Sequence, residues 1–346
     1  VAVTRVALVG LGATGCAIGT LLAAREDCVL VGAVDQRPDT IGRDLSEFLG
    51  LDRLGIAVTS DLGALPATDL AVVATTSDLD RVAQTVIPLL ERSINVVSIC
   101  EQLAYPWESH PQIAKQLDAV AREHGVTVVG TGANPGVLMD TLPMLMSVLT
   151  RQVNRVVIRR RTNMSRYGAI LSKFGLGLEP TAFAAARNSG QVIGHVGFEQ
   201  AIGALAAGLG WELDTIVVYD VEPSVVSDRR RQGAHTVIEP GAIAAVTHRA
   251  RGLRSGDAVI DLEIVFGFFD AEDEVQPGDE YLIEGDDQLI TLASNHGFES
   301  FLSTVAAAAN VATAVVDAPA GLHSMGELPV LAMASKGARI RQAVHR

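Results

Sequence analysis

Three cysteines in 346 residues, Cys16, Cys28 and Cys100, are too few and too scattered for a disulfide framework or a zinc site. That scarcity suits a reducing compartment, so a cytoplasmic protein is expected, with the three thiols as small buried residues. No apolar run reaches the roughly 18 residues of a membrane span, and the first residues form an apolar strand without a signal-peptide flank. Positive charge is also short, with 27 Lys and Arg against 40 Asp and Glu and a formal net charge of −13. This balance argues against nucleic acid, whose binding depends on neutralising phosphates. A negative field either serves solubility or draws small cations such as ammonium and amines. What the chain does have is length for two domains and enough apolar residues, 48%, for a sizeable core.

The apolar strand VALVGLGATG at residues 6–15 runs straight into Gly10-x-Gly12-x-x-Gly15, and about twenty residues on VLVGAVDQR ends a second strand at Asp35. Gly10 allows the tight turn, Gly12 lets the backbone approach a pyrophosphate, and Gly15 lets the helix pack on the strand. The helix start around Ala13 and Thr14 supplies free N–H groups for phosphates. The segment is therefore expected to bind NAD or NADP. Asp35 is placed to accept from the adenosine ribose hydroxyls, which favours NAD, whereas Arg37 either faces a 2′-phosphate, which favours NADP, or is a surface residue.

The segments DLAVVATTS (69–77), NVVSICE (95–101) and GVTVVGTGANPG (125–136) repeat the pattern of a buried strand emptying into a small polar loop, with helical stretches between them. Continuous apolar strands alternating with helices imply a doubly wound parallel sheet covered on both faces, a Rossmann α/β fold. Ligands sit beyond the carboxyl ends of such strands, which gathers Gly10–Gly15, Asp35–Arg37, the loop after the fourth strand, Cys100–Glu101 after the fifth, and Thr131–Gly136 on one rim. From about residue 150 the strands lengthen and partly alternate, as in NRVVIRRRTN and AVIDLEIVFGFFD, which suggests an antiparallel or mixed sheet and an α+β domain. The expected division is 1–135 for the nucleotide-binding domain and 136–317 for a substrate and dimerisation domain, with 318–346 packing back on the first.

Glu101 ends an apolar strand in SICEQLAYP, where a side chain enters the crevice that holds a nicotinamide; position alone suits an ordinary strand-end carboxylate paired with an arginine equally well. Asn134-Pro135-Gly136 reads as a backbone clamp beside the nicotinamide or as a plain turn. Thr75, Thr76 and Ser77 are placed to touch the cofactor, to cap the next helix, or both. For a substrate pocket the candidates are Asn163, Tyr167, Phe174, Asn295 and His296, although Tyr and Phe are also core residues and His296 also suits a helix start. Arg159-Arg160-Arg161 either binds a substrate carboxylate or forms a solvated face or dimer contact, with Arg160 on the opposite face from its neighbours.

SICEQLAYPW, GTGANPGVLMDTLP (130–143) and GLHSMGELP (321–329) resemble the 2,4-diaminopentanoate dehydrogenases and related native amine dehydrogenases, which have a dihydrodipicolinate-reductase-like Rossmann domain. The resemblance covers most of the chain, is strongest in the first 143 residues and is thin in the middle of the second domain. Dihydrodipicolinate reductase itself matches less well, being shorter and carrying a paired-histidine motif near a lysine that is missing here. The resemblance implies that Glu101 is the catalytic acid–base in reversible NAD(P)-dependent conversion of an amine to a carbonyl compound and ammonia, with no metal, in a homodimer. Oxidation of 2,4-diaminopentanoate or another amino acid is an alternative, and so is a non-catalytic NAD(P)-sensing protein.

Overall fold

A run such as RVALV, apolar from its second residue on, has no solvent face, and the chain buries it at the centre of a sheet. In the computed structural model, which describes residues 3–168 and 170–329, this run belongs to β1 (Thr4–Val9). There follow α1 (Ala13–Ala23), β2 (Cys28–Val34), α2 (Ser46–Leu49), β3 (Leu70–Val73), α3 (Leu79–Glu91), β4 (Asn95–Ser98), α4 (Pro111–Glu123) and β5 (Thr127–Gly130). These five strands are parallel in the spatial order 2-1-3-4-5. β1 thus separates β2 from β3, and strand order reverses there, which is where open α/β sheets bind ligands. α1 covers one face through Ile18 and Leu22, and α3 and α4 cover the other through Val82, Val86, Leu89 and Leu117.

The sequence count of strands requires one more between Asp35 and Asp69. Only isolated bridges form there, Val34 to Thr59 and Asp44 to Ala57. The reason is local: the Asp44 carboxylate takes the N–H groups of Ser46, Leu54 and Gly55, and those residues turn instead of pairing. Glu101 therefore follows the fourth strand and Thr75 the third.

After β5 come α5 (Thr141–Ser147), β6 (Val153–Asn163), α6 (Leu171–Phe174), α7 (Pro180–Asn188) and α8 (Phe198–Gly208). The strands β7 (Thr215–Val218), β8 (Glu222–Val226), β9 (Arg231–Gln232), β10 (Val237–Ile238), β11 (Ile243–Arg254), β12 (Asp257–Gly267), β13 (Gly278–Gly285) and β14 (Leu289–Ser294) follow, then α9 (Ser300–Val316) and β15 (Gly321–His323). The second sheet runs 14-13-6-12-11-7 with β8 also on β11, and is mixed because β6 and β12 are parallel. Its alternation sorts side chains cleanly. Ile158, Arg160, Leu262, Ile264 and Tyr281 are buried on the inner face, while Arg155, Arg159, Arg161, Glu263, Glu280 and Glu284 keep partial exposure on the other.

A boundary at residue 317 places α9 with this second sheet, yet the helix packs on the first. Val305, Ala308, Ala312 and Val315 share a core with Val6, Ile18 and Leu22, because alanines on one face let α9 lie close to α1. β15 then joins the first sheet in parallel beside β5. The remainder of the expected C-terminal return, residues 330–346, lies outside the described residues. The three cysteines are free, Cys28 and Cys100 buried and Cys16 part-buried. Among the described residues no helix is long and apolar enough to cross a membrane.

Candidate active site

The glycine turn after β1 is built by close approach. Gly10 has φ +95°, and a Cβ there would lie 2.5 Å from the Ala74 carbonyl oxygen; a Cβ on Gly15 would lie 2.1 Å from that of Gly10. Gly12 faces open space and starts α1 without a side-chain cap, so the first-turn N–H groups from Ala13 and Thr14 onward are available to an anion. This is the cradle a pyrophosphate needs.

At the end of β2 the Asp35 carboxylate accepts from the Leu11 N–H at 2.7 Å and from the Arg37 N–H at 2.8 Å. Burial pushes its pKa up, but these bonds and the Arg37 side chain outweigh that and hold it below the ordinary value. The Arg37 guanidinium, half exposed, bonds Asp35 through Nε at 3.2 Å and the Leu11 carbonyl through Nη2 at 2.9 Å. Both residues of the ambiguous sequence signal thus belong to one unit that fixes the glycine turn.

Beyond β3 the three hydroxyls part company. Thr75 packs beside Gly10, Thr76 accepts from the Asp78 N–H at 3.3 Å, and Asp78, not a hydroxyl, caps α3. The Ser77 side chain favours the charged form of Glu101. Glu101 opens the short turn after β4, part-buried. Burial raises its pKa; the Ser77 hydroxyl and the Lys173 ammonium pull it back less than burial pushes it up. No arginine pairs with it among the described residues.

The loop after β5 closes on this carboxylate. Gly136 has φ +124°, with the Thr131 Cα 3.0 Å from where its Cβ would be, so the turn requires glycine. Pro135 touches Gly197, the residue that begins α8. Asn134 Oδ1 and Thr131 Oγ1 are buried with no partner among the described residues. Two unpaired acceptors at a strand's carboxyl end suit a carboxamide NH2, so the loop fits a nicotinamide. Asp140, the N-cap of α5, accepts from the N–H groups of Gly136 at 2.6 Å and Thr141 at 2.5 Å. Burial pushes it up to about 6. The sequence signal for Asp140, an aspartate just before the apolar helix in MDTLP, was available and unused.

In the second unit the candidates disperse. Arg160 is fully buried, bonded to Asp279 at 3.1 Å through both Nε and Nη2 and to the Phe298 carbonyl at 2.8 Å. Since Arg159 and Arg161 lie on the other face, the arginine triplet supplies no uncompensated cation to the inner face. Phe174 is core, its ring stacked on Phe266 at 4.2 Å. Tyr167 donates to Glu299, the cap of α9, and accepts from the Phe301 N–H at 3.3 Å. Asn163 is exposed and receives the Ser165 N–H at 3.0 Å, which closes the turn after β6. Asn295 and His296 are exposed in the loop before α9, with Asn295 in a shallow groove beside Arg161 and Pro277.

His195, which no sequence motif marks, is part-buried edge-on to Phe198 at 4.8 Å, and its Nε2 has no partner among the described residues. Its backbone N–H donates to His248 Nδ1 at 2.9 Å, so the His248 hydrogen is on Nε2 and points to the Tyr219 carbonyl. Nothing local in GHVGFEQ announces this contact with a residue 53 positions away.

Residues 4–98 match the N-terminal domain of dihydrodipicolinate reductase, and residues 137–345 match the 2,4-diaminopentanoate dehydrogenase C-terminal domain. A 2,4-diaminopentanoate dehydrogenase of Acetoanaerobium sticklandii is 29% identical over 332 residues, covering 94% of this chain and 93% of that protein. The fold is shared with an amine dehydrogenase from Mycobacterium smegmatis, at 23% identity and TM-score 0.81 over 95% of this chain and 97% of that one. An Agrobacterium radiobacter oxidoreductase solved with NAD+ is more distant, at 11% identity and TM-score 0.54 over 91% and 87%. With the C-terminal match extending over more than half of its length, the chain belongs to the 2,4-diaminopentanoate dehydrogenase family.

Proposed function

We propose that the protein is an NAD(P)-dependent amine dehydrogenase that interconverts an amine with a carbonyl compound and ammonia, with Glu101 as acid–base. The observation that carries this reading is a part-buried carboxylate at the carboxyl end of β4, beside a dinucleotide turn and with no arginine paired to it among the described residues; burial raises its pKa. The Gly10–Gly15 turn would hold the pyrophosphate, Asp35 and Arg37 the adenosine ribose, Thr75 to Ser77 the nearer ribose, and Thr131 with Asn134–Gly136 the nicotinamide. The bound coenzyme supplies the hydride acceptor.

An alkylammonium with a pKa near 10.4 must lose a proton before its carbon releases hydride, which costs roughly 4–5 kcal/mol at neutral pH. Glu101 holds the cation and then takes that proton, and burial brings its basicity closer to the task. Glu101 passes that proton to solvent, and after the C–H bond breaks it takes a proton from the water that adds to the iminium carbon; it then gives this proton to the amino nitrogen, which leaves as ammonia while the carbinolamine hydroxyl loses its proton to solvent. In reverse, the carboxylate helps ammonia add and stabilises the iminium cation that awaits hydride. The acid–base work fits one carboxylate.

We place the protein in the cytoplasm as a homodimer formed by the outer face of the second sheet. Its interleaved charges, such as Arg155 between Asp261 and Glu284, favour a self-complementary partner. The test of function is NADH and NADPH oxidation with short aldehydes and ketones, with and without ammonium, and NAD+ and NADP+ reduction with 2,4-diaminopentanoate. Ammonium-dependent oxidation is expected. Coenzyme binding without turnover across the whole panel would replace this reading with a nucleotide sensor.

A further inference from the structure

Asp140 is buried between the two units and takes no part in the acid–base chemistry. It is 2% exposed, and no lysine, arginine or histidine pairs with it among the described residues. An ionised group held in this way is costly, and capping α5 does not require it, since Ser, Thr or Asn caps a helix as well. What the carboxylate adds is its second oxygen. One oxygen caps Thr141 at 2.5 Å, and the other reaches back to the Gly136 N–H at 2.6 Å. The Thr141 hydroxyl donates to the Gly136 carbonyl at 2.7 Å, so the same residue is gripped on both sides of its Cα.

The grip has a direction. Gly136 is fixed against Thr131, and Pro135 against Gly197, whose Cβ position lies 3.3 Å from the Glu101 Cβ. Asn134 and Thr131, with their unpaired buried oxygens, sit in the same turn. α5 itself packs on α8 and β13 of the second unit. A single side chain therefore ties the loop at the nicotinamide rim to the helix that touches the substrate unit.

We infer that Asp140 is a positioning residue for hydride transfer, acting through Gly136 to hold the 131–136 loop against the nicotinamide. This rests on the site being a dinucleotide-dependent dehydrogenase, and a displaced reacting carbon is expensive: about 1 Å of misplacement costs on the order of a hundredfold in rate.

The test uses Asp140→Ser, which keeps a cap for Thr141 but is too short to reach Gly136, and Asp140→Asn, which keeps the length with one acceptor oxygen. In the full-length protein, NADH is titrated against ADP-ribose, and NADPH against 2′-phospho-ADP-ribose, by calorimetry. Asp140→Ser should bind the fragments within about twofold of wild type and lose about tenfold of the extra affinity of the whole coenzymes, with Asp140→Asn intermediate. In turnover, kcat should fall at least about tenfold, and the isotope effect with coenzyme deuterated at the transferred C4 position should rise. Equal weakening of fragment and coenzyme, or an unchanged isotope effect at lowered thermal stability, would make Asp140 a structural cap and overturn the inference. Should Asp140→Ser not fold, Asp140→Asn decides by the same readouts. If the wild type turns over no amine or carbonyl, the functional reading fails while the binding comparison still decides the role of Asp140 at the loop.

Discussion

Gly197 backs directly onto Glu101: a Cβ built on Gly197 would stand 3.3 Å from the Glu101 Cβ and 2.4 Å from Pro135 Cδ. The N-terminus of α8 is thereby pressed against both the proposed acid–base and the proposed nicotinamide loop, at a residue whose φ of +109° already favours glycine. Gly197→Ala is expected to cost about 1–3 kcal/mol of stability through strain, read from the urea midpoint. It should also lower kcat, because Pro135 or Glu101 must move. An alanine variant with wild-type kcat would show that the contact is slack.

Asp279 compensates Arg160 in a fully buried pair that also bonds the Phe298 carbonyl. Asp279→Asn leaves the guanidinium charged and uncompensated and should destabilise the fold by about 3–5 kcal/mol. The double replacement Arg160→Met with Asp279→Leu should recover most of that loss. Chemical denaturation of the three variants checks both statements.

His195 sets an acid limit. Burial first, then His248 and Arg160, lower its pKa from 6.5 to about 3. The unfolded chain therefore takes up a proton that the folded one refuses, and stability from this group, full above pH 6.5, is lost as pH falls from 6.5 toward 3. The slope is about 1.4 kcal/mol per pH unit within that window. His195→Phe should flatten the stability profile between pH 4 and 6, and an unchanged profile would assign the acid limit elsewhere.

What was legible in the sequence is what is local. The glycine turn, Asp35 and the strand that ends at Glu101 are each specified within a few residues, and their convergence follows from the rule for parallel sheets. The second unit was legible as long strands, but its chemistry depends on partners far along the chain. Arg160 looks like a carboxylate receptor until Asp279, 119 residues later, occupies it. Tyr167 is claimed by Glu299 at a separation of 132, and Phe174 by Phe266 in the core. α9 reads as an apolar helix of the second unit; only the fit of Ala308 and Ala312 against α1 places it with the first.

Arg37 presents a guanidinium edge to solvent while its Nε and Nη2 are held by Asp35 and Leu11. A 2′-phosphate placed there gains a charge-assisted contact, worth roughly 10–100-fold in affinity. Arg37→Ala should weaken NADPH binding by about that factor and NADH binding far less. Equal losses for the two coenzymes in a fluorescence titration would limit Arg37 to bracing the glycine turn.

Glu101→Gln tests most directly whether Glu101 moves the protons, because it keeps the shape of the side chain while removing the base. Ammonium-dependent oxidation of NAD(P)H is measured under saturating coenzyme, with coenzyme affinity determined separately on the same preparation. The expected result is a kcat lowered by about 10²–10⁴-fold with coenzyme affinity little changed. Turnover within tenfold of wild type would contradict the assignment and move the acid–base role to another group.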